Sequence, residues 1–160
     1  AQMNEYLDAR AVPFQLPIGS EDDFTGIIDV IKNKAFIFGD DERKEVEIPE
    51  DHKEATLKAR EFLIETLADY NDEIAELFLE EKEIPYELLK NAARSATLKL
   101  LITPVFTGAA YKNKGVELLL DAIVDYLPSP IDVGAVVGTD VDDEEKTHLR
   151  NPSNKEPFSA

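Results

Sequence analysis

Few residues in this 160-residue chain have the types and spacing that chemistry demands. A phosphate cradle needs a glycine-rich turn that carries a lysine into a helix, and no G-x-x-x-x-G-K-[ST] occurs. The segment DFTG at 23–26 has the form D-x-x-G, but it leads into a β-hairpin pattern, where no phosphate cradle forms. NKAF at 33–36 and NKGV at 113–116 begin like a guanine-reading N-K-x-D. Both lack the aspartate that would accept from the guanine N–H donors, so neither reads a base. His52 and His148 stand far apart among charged residues, without a companion at metal-ligand spacing. DVDDEE at 140–145 is acidic but lacks the central glycine and alternating ligands of a calcium loop, and reads as solvated. Nothing pairs a nucleophile with a base, so no catalytic residue and no metal ligand is assigned.

Two features remain. In TGAAYKNKG at 107–115, an apolar run ends in Gly108, Ala109 and Ala110 before a basic turn and a helix. Ligands of open α/β sheets bind at the carboxyl ends of strands, and small residues there let backbone N–H groups approach a planar ligand. Lys112 and Lys114 before a helix N-terminus make the local potential positive. The same residues also fit an ordinary tight strand-to-helix loop. The second feature is a carboxylate row. At ~100° per residue, Glu54, Glu61, Glu65, Asp69, Asp72, Glu76 and Glu80 share one sector of a single long helix. Ala59, Leu63, Leu67, Tyr70, Ile74, Leu77 and Phe78 lie nearly opposite. Like charges one turn apart cost about 0.2–0.5 kcal/mol per pair, and Lys58 is the cation inside the row. The row fits a solvated face, or a docking edge for a partner's lysines and arginines.

The elements that must position these features follow from periodicity. Residues 1–10 read as a helix with Met3, Tyr6 and Leu7 on one face. AVPFQLPI at 11–18 is extended, and its prolines make it an edge or irregular strand. GIIDVIKNKAFIF reads as two strands about Lys32-Asn33-Lys34, and KEVEI as a third, after an acidic loop at 40–43. A helix is expected over 53–81, and a second behind Pro85. A strand at 101–107, a helix at 116–127, the stop LPSP and a short strand VGAVVG complete the chain. This order places an α+β lobe between a leading helix and a trailing strand–helix unit, as in an insertion within a parallel α/β domain.

Composition narrows the partners. Net charge is −17, which repels a polyanion and argues against nucleic-acid binding by this segment; a basic protein surface fits better. No apolar run approaches the ~20 residues that cross a bilayer. Without cysteine there is no disulfide, no thiolate metal site and no thiol nucleophile, and a cytosolic setting is compatible. The chain starts at Ala1 and stops within NKEPFSA as an apolar segment begins, which reads as a piece of a longer polypeptide.

AVPFQLPIGSEDDFTGIIDVI, then ITPVFTGAAYKNKGVELLLDAIVDYLPSPIDV, then EPFSA closely resemble bacterial elongation factor G, the translocation GTPase, in collinear order. KNKGV followed by LLDAIVDYLPSP is the most specific part. The resemblance implies an α/β fold: the later, strand–helix part of a P-loop GTPase domain with a parallel sheet, carrying an inserted α+β subdomain. On it, residues 1–10 are a helix of the GTP-binding domain and 11–98 the insertion. Residues 99–128 are the last strand and helix of the GTP-binding domain, and 129–160 the linker and start of a following β-barrel domain. The family's fifth guanine-binding box, usually Gly-Ser-Ala, falls on Gly108, Ala109 and Ala110. It implies that the Ala110 amide donates to guanine O6, with Ala109 departing from the usual serine. GTP or GDP and Mg2+ serve the full-length parent, their remaining contacts lying upstream; no cofactor and no hydrolysis are expected of the 160 residues alone. The insertion's acidic helix implies docking of the large-subunit stalk protein of the ribosome at Glu65 and Asp69, with Asp72 and Glu61. A cytoplasmic, monomeric fragment without membrane contact is implied as well. Related translational GTPases (recycling, release or ribosomal protection) remain alternatives, as does a stand-alone acidic protein-binding module.

Overall fold

The computed structural model describes residues 3, 9–39, 43–143 and 145–155. Most of the helix expected over 1–10, residues 40–42 of the acidic loop and the closing residues 156–160 lie outside them. Residues 1–127 form one compact unit and residues 128–160 another.

The first unit is organised by one extended run that serves two sheets. Its first part, β1 (Ala11–Pro13), pairs in parallel with β6 (Thr103–Val105), Ala11 opposite Thr103 and Pro13 opposite Val105. Its second part, β2 (Gln15–Ile18), pairs antiparallel with β3 (Gly26–Asp29), Leu16 opposite Ile28. Between them Phe14 donates its N–H to Val105 O and accepts from Val30 N–H, both at 2.9 Å. Residues 11–13, assigned from sequence to the insertion, thus share a sheet with 103–105. The antiparallel sheet continues through β4 (Lys34–Phe38) and β5 (Arg43–Val46) in the order β2-β3-β4-β5. Pro17 sits in the edge strand of that sheet, where a missing N–H is tolerated.

The β3–β4 turn satisfies its buried polar groups from its own residues and from a helix. Asn33 takes the left-handed conformation (φ 57°), and the Asp29 carboxylate accepts from Lys32 N–H at 2.8 Å. Arg60, on α1 (Glu50–Ala68), donates to Val30 O at 2.6 Å and Ile31 O at 2.9 Å. These bonds fix α1 on the hairpin, because a buried carbonyl left unpaired is costly.

The single long helix expected over 53–81 is two helices. After α1 the chain turns at Asp69 to Asn71, and α2 (Asp72–Leu79) begins afresh. Asn71 is extended (φ −146°, ψ 107°), and its side chain accepts from Ile74 N–H, which makes it an N-cap. Asp72 and Glu73 then complement the positive helix start. The third helix, α3 (Tyr86–Leu98), follows Pro85 as expected, and β6 leads to α4 (Val116–Tyr126). Leu63, Leu67, Ile74, Leu89 and Ala93 are fully buried and share one core with Val12, Phe14 and Val30. Each large aliphatic side chain so buried contributes about 1.5–3 kcal/mol. Phe14 meets Phe106 and Tyr126 edge-on, ring centroids 5.7 and 5.1 Å away.

In the second unit, Ser129 opens the first helix. It caps α5 (Pro130–Val133) in a reciprocal box with Asp132, Pro130 standing at the first turn. The expected strand is β7 (Val136–Thr139), and it pairs with a further strand, β8 (Thr147–Arg150). His148 lies with Nε2 2.9 Å from Asp140 Oδ2, and this bond holds the Asp140 carboxyl below its usual range. No helix among the described residues is long and apolar enough to cross a membrane.

Burial raises the Asp29 carboxyl above its usual pKa, opposed by the bond from Lys32 N–H. A raised carboxyl favours the fold below the unfolded range of aspartate and loses that contribution as pH rises through the raised value. Asp29→Asn keeps an acceptor for Lys32 and removes the buried charge. Urea titrations should therefore find Asp29→Asn gaining on the wild type from acid to neutral pH. A constant difference between the two curves would contradict it.

Candidate functional site

The turn after β6 is a closed hairpin rather than an open loop. Ala109 N–H donates to Lys114 O at 2.9 Å, and Lys114 N–H returns to Ala109 O at 3.1 Å. Between them Ala110–Lys112 make one 3-10 turn, and Asn113 reverses the chain in the left-handed conformation (φ 51°). Gly115 (φ 81°) then precedes α4, where an L side chain is strained. A Cβ on Gly115 would lie 2.7 Å from Ile27 Cδ1 and 3.1 Å from Thr107 O. On Gly108 it would come 3.2 Å from Lys114 O, so smallness at 108 also serves the hairpin itself.

Gly108 and Ala110 are exposed at the carboxyl end of β6, and Ala109 is half-buried against the cluster of Phe24, Ile27, Phe36 and Leu118. Among the described residues nothing accepts from the Ala110 amide. At the root of the turn, Thr107 N–H donates to Gln15 Oε1 at 3.2 Å, while Thr107 Oγ1 is buried without a partner among the described residues. The tip therefore offers the exposed Ala110 N–H as a backbone donor suited to the edge of a flat acceptor.

The positive potential expected from its lysines is largely spent inside the protein. Lys112 Nζ lies 2.7 Å from Asp22 Oδ1, and that bond holds the Asp22 carboxyl below its usual range. Lys114 Nζ donates to Phe24 O at 2.6 Å. Both lysines fasten the turn to residues 22–24 rather than facing a ligand.

The carboxylate row is brought together only in part, because the chain bends at residues 69–71. Glu61 and Glu65 are exposed one turn apart on α1, and Asp72 opens α2. These carboxylates make no ion pair among the described residues. Asp69 is engaged: its Oδ2 lies 2.6 Å from Arg10 Nη2, while Arg10 Nη1 donates to the Tyr70 hydroxyl at 2.6 Å. The Arg10 guanidinium also lies 5.3 Å from the centre of the Tyr70 ring. Glu54 is paired with Lys58 at 2.6 Å.

Gln15, Arg10 and Asn71 were missed by sequence reasoning. An asparagine followed by Asp-Glu inside a helical pattern is a start signal that marks the break at 71. Gln15 gave a weaker one, a polar residue flanked by apolar ones in an extended run. For Arg10 no local signal exists. Among the described residues, no cluster of three or more His, Asp or Glu side chains has the arrangement of a metal site.

No protein-family model matches the chain. The fold is similar to that in the crystal structure of ttk003000868 from Thermus thermophilus, 27% identical, with a TM-score of 0.71 over 85% of this chain. This chain spans 21% of the length of that one. The likeness supports a mixed α/β fold with a small parallel pair and antiparallel sheets.

Gly115→Ala should lower stability by about 1–2 kcal/mol from the left-handed backbone alone, with the Ile27 contact adding to it. Thermal unfolding of wild type and variant measures the difference; equal midpoints would show that the turn adopts another backbone.

Proposed function

We propose that this chain is a segment of a translational GTPase of the elongation factor G kind, whose parent hydrolyses GTP on the ribosome to move tRNA and mRNA. In this reading, Gly108, Ala109 and Ala110 are the guanine-facing turn, and Glu61, Glu65 and Asp72 form the edge that meets the stalk protein. The observation that carries it is the exposed Ala110 amide, uncommitted at the carboxyl end of a parallel strand. A donor there suits the O6 acceptor of a purine and fits backbone recognition without the serine hydroxyl that Ala109 lacks.

The residues fit the base edge and nothing more of the nucleotide. When bound, GTP with Mg2+ supplies the phosphoanhydride that is cleaved. What this chain contributes is orientation of the base. The phosphate and magnesium contacts of the parent belong, on this reading, to other parts of the longer polypeptide. Asp69 takes a smaller part than expected, since Arg10 already neutralises it. Exposed carboxylates in a strongly acidic chain suit a basic protein surface, through contacts that form quickly and weaken with salt.

Ala110→Pro tests the guanine contact with little disturbance. Ala110 opens a 3-10 turn and Ala109 before it lies outside the α region that proline disfavours (φ −127°, ψ 84°), so the substitution deletes the N–H at a first-turn position where proline is tolerated. In the longer polypeptide, guanine nucleotide affinity should fall about tenfold, the value of one hydrogen bond. Unchanged affinity would remove the base contact from this turn.

The docking edge is tested on the 160-residue chain by NMR titration with the stalk protein's basic domain. Shifts should centre on Glu61, Glu65 and Asp72, weaken with added salt and largely vanish in Glu61→Lys with Glu65→Lys. Shifts elsewhere, with α1 silent, would contradict it. Stalk binding in a parent that binds no guanine nucleotide would favour the acidic-module reading instead.

A further inference from the structure

The turn at 107–115 grows from the parallel pair, yet its described anchors come from the antiparallel lobe. Lys112 reaches Asp22, Lys114 reaches the Phe24 carbonyl, and Gly115 packs on Ile27. The remaining anchor is Gln15, 4% exposed on β2, whose Oε1 accepts from Thr107 N–H across 92 residues of sequence. A buried glutamine is costly unless bonded, and here its acceptor faces the backbone donor at the root of the exposed tip.

We infer that Gln15 is a positioning residue for the 108–110 tip: it ties the root of the tip to the antiparallel sheet, so that lobe and tip move as one body. The inference rests on reading the tip as the purine-facing element, and it names what governs its alignment. The direction of the Ala110 amide is set by β2 and β3, which lie in the lobe that carries α1. A displacement of the lobe therefore re-aims the donor, whereas a tip held only by β6 would stay still.

Backbone amide hydrogen exchange, read by NMR on the 160-residue chain without nucleotide, tests this directly. Gln15→Leu keeps size and removes the acceptor; Thr107 exchange should rise about tenfold and the Ala109 and Ala110 resonances should shift. Amides of the β3–β4 ladder should keep their rates. Gln15→Glu, which retains an acceptor oxygen, should restore protection at Thr107, a rescue that mere core packing would not produce. Lys114→Met serves as an independent variant should Gln15→Leu not fold, and should speed exchange at positions 109 and 114 alone. The inference is overturned by unchanged Thr107 exchange in Gln15→Leu, by no rescue in Gln15→Glu, or by equal acceleration across the whole sheet. For Lys114→Met, unchanged rates at 109 and 114 count against it likewise. These rates are independent of nucleotide, so a failed Ala110→Pro experiment would sink the guanine reading and leave this result standing.

Discussion

Phe14 gives its N–H to one sheet and its carbonyl to the other, and it can do so only while the run from Ala11 to Ile18 stays extended through both. Its ring fills the space between Phe106 and Tyr126, so the backbone joint and the aromatic cluster fix each other. Were the run to bend at residue 14, the parallel pair and the antiparallel sheet would part, and the buried backbone groups of both would lose their partners. The helices inherit this constraint. Arg60 grips the carbonyls just past β3, and Leu63, Leu67 and Leu89 close over the same core.

Polar atoms tie the exposed features to this frame. Lysines read from the sequence as making the local potential positive instead fasten the turn to residues 22–24, while a glutamine that drew no attention holds its root. Arg10 takes up one carboxylate of the acidic row, and Glu61, Glu65 and Asp72 keep no ion pair among the described residues. Such surface pairs are worth only about 0–1 kcal/mol each. Their importance lies in deciding which charges remain available to a partner.

Much of the element order was legible because it rests on local signals. Pro85 before α3, Asn33 in the hairpin turn and Gly115 before α4 each announce their geometry through backbone preference. The acidic helix misled because ~100° periodicity continues across residues 69–71 even though the backbone does not. The signal that marks the break, Asn71 before Asp72 and Glu73, lies inside the carboxylate pattern and is hidden by it. Pairings such as Gln15 with Thr107, or Lys112 with Asp22, join residues far apart in sequence and leave no local trace. For that reason the tip was legible as a place and not as a mechanism. β8 escaped notice because Thr147 to Arg150 are mostly polar and gain their strand identity from β7.

The pairing of β1 with β6 bears on how the chain reaches its fold. Bringing these strands together from a random coil closes a loop of about 90 residues, at an entropic cost near 4 kcal/mol before any contact repays it. The β3–β4 hairpin and the helix pair α1–α2 need only short closures, so they assemble first and shorten the effective gap. Parallel pairing is then the late step. Until it occurs, Phe14 has neither Val105 to accept its N–H nor Phe106 to cover its ring, and that half-made joint leaves an unpaired strand edge and bare apolar surface, the features that favour aggregation.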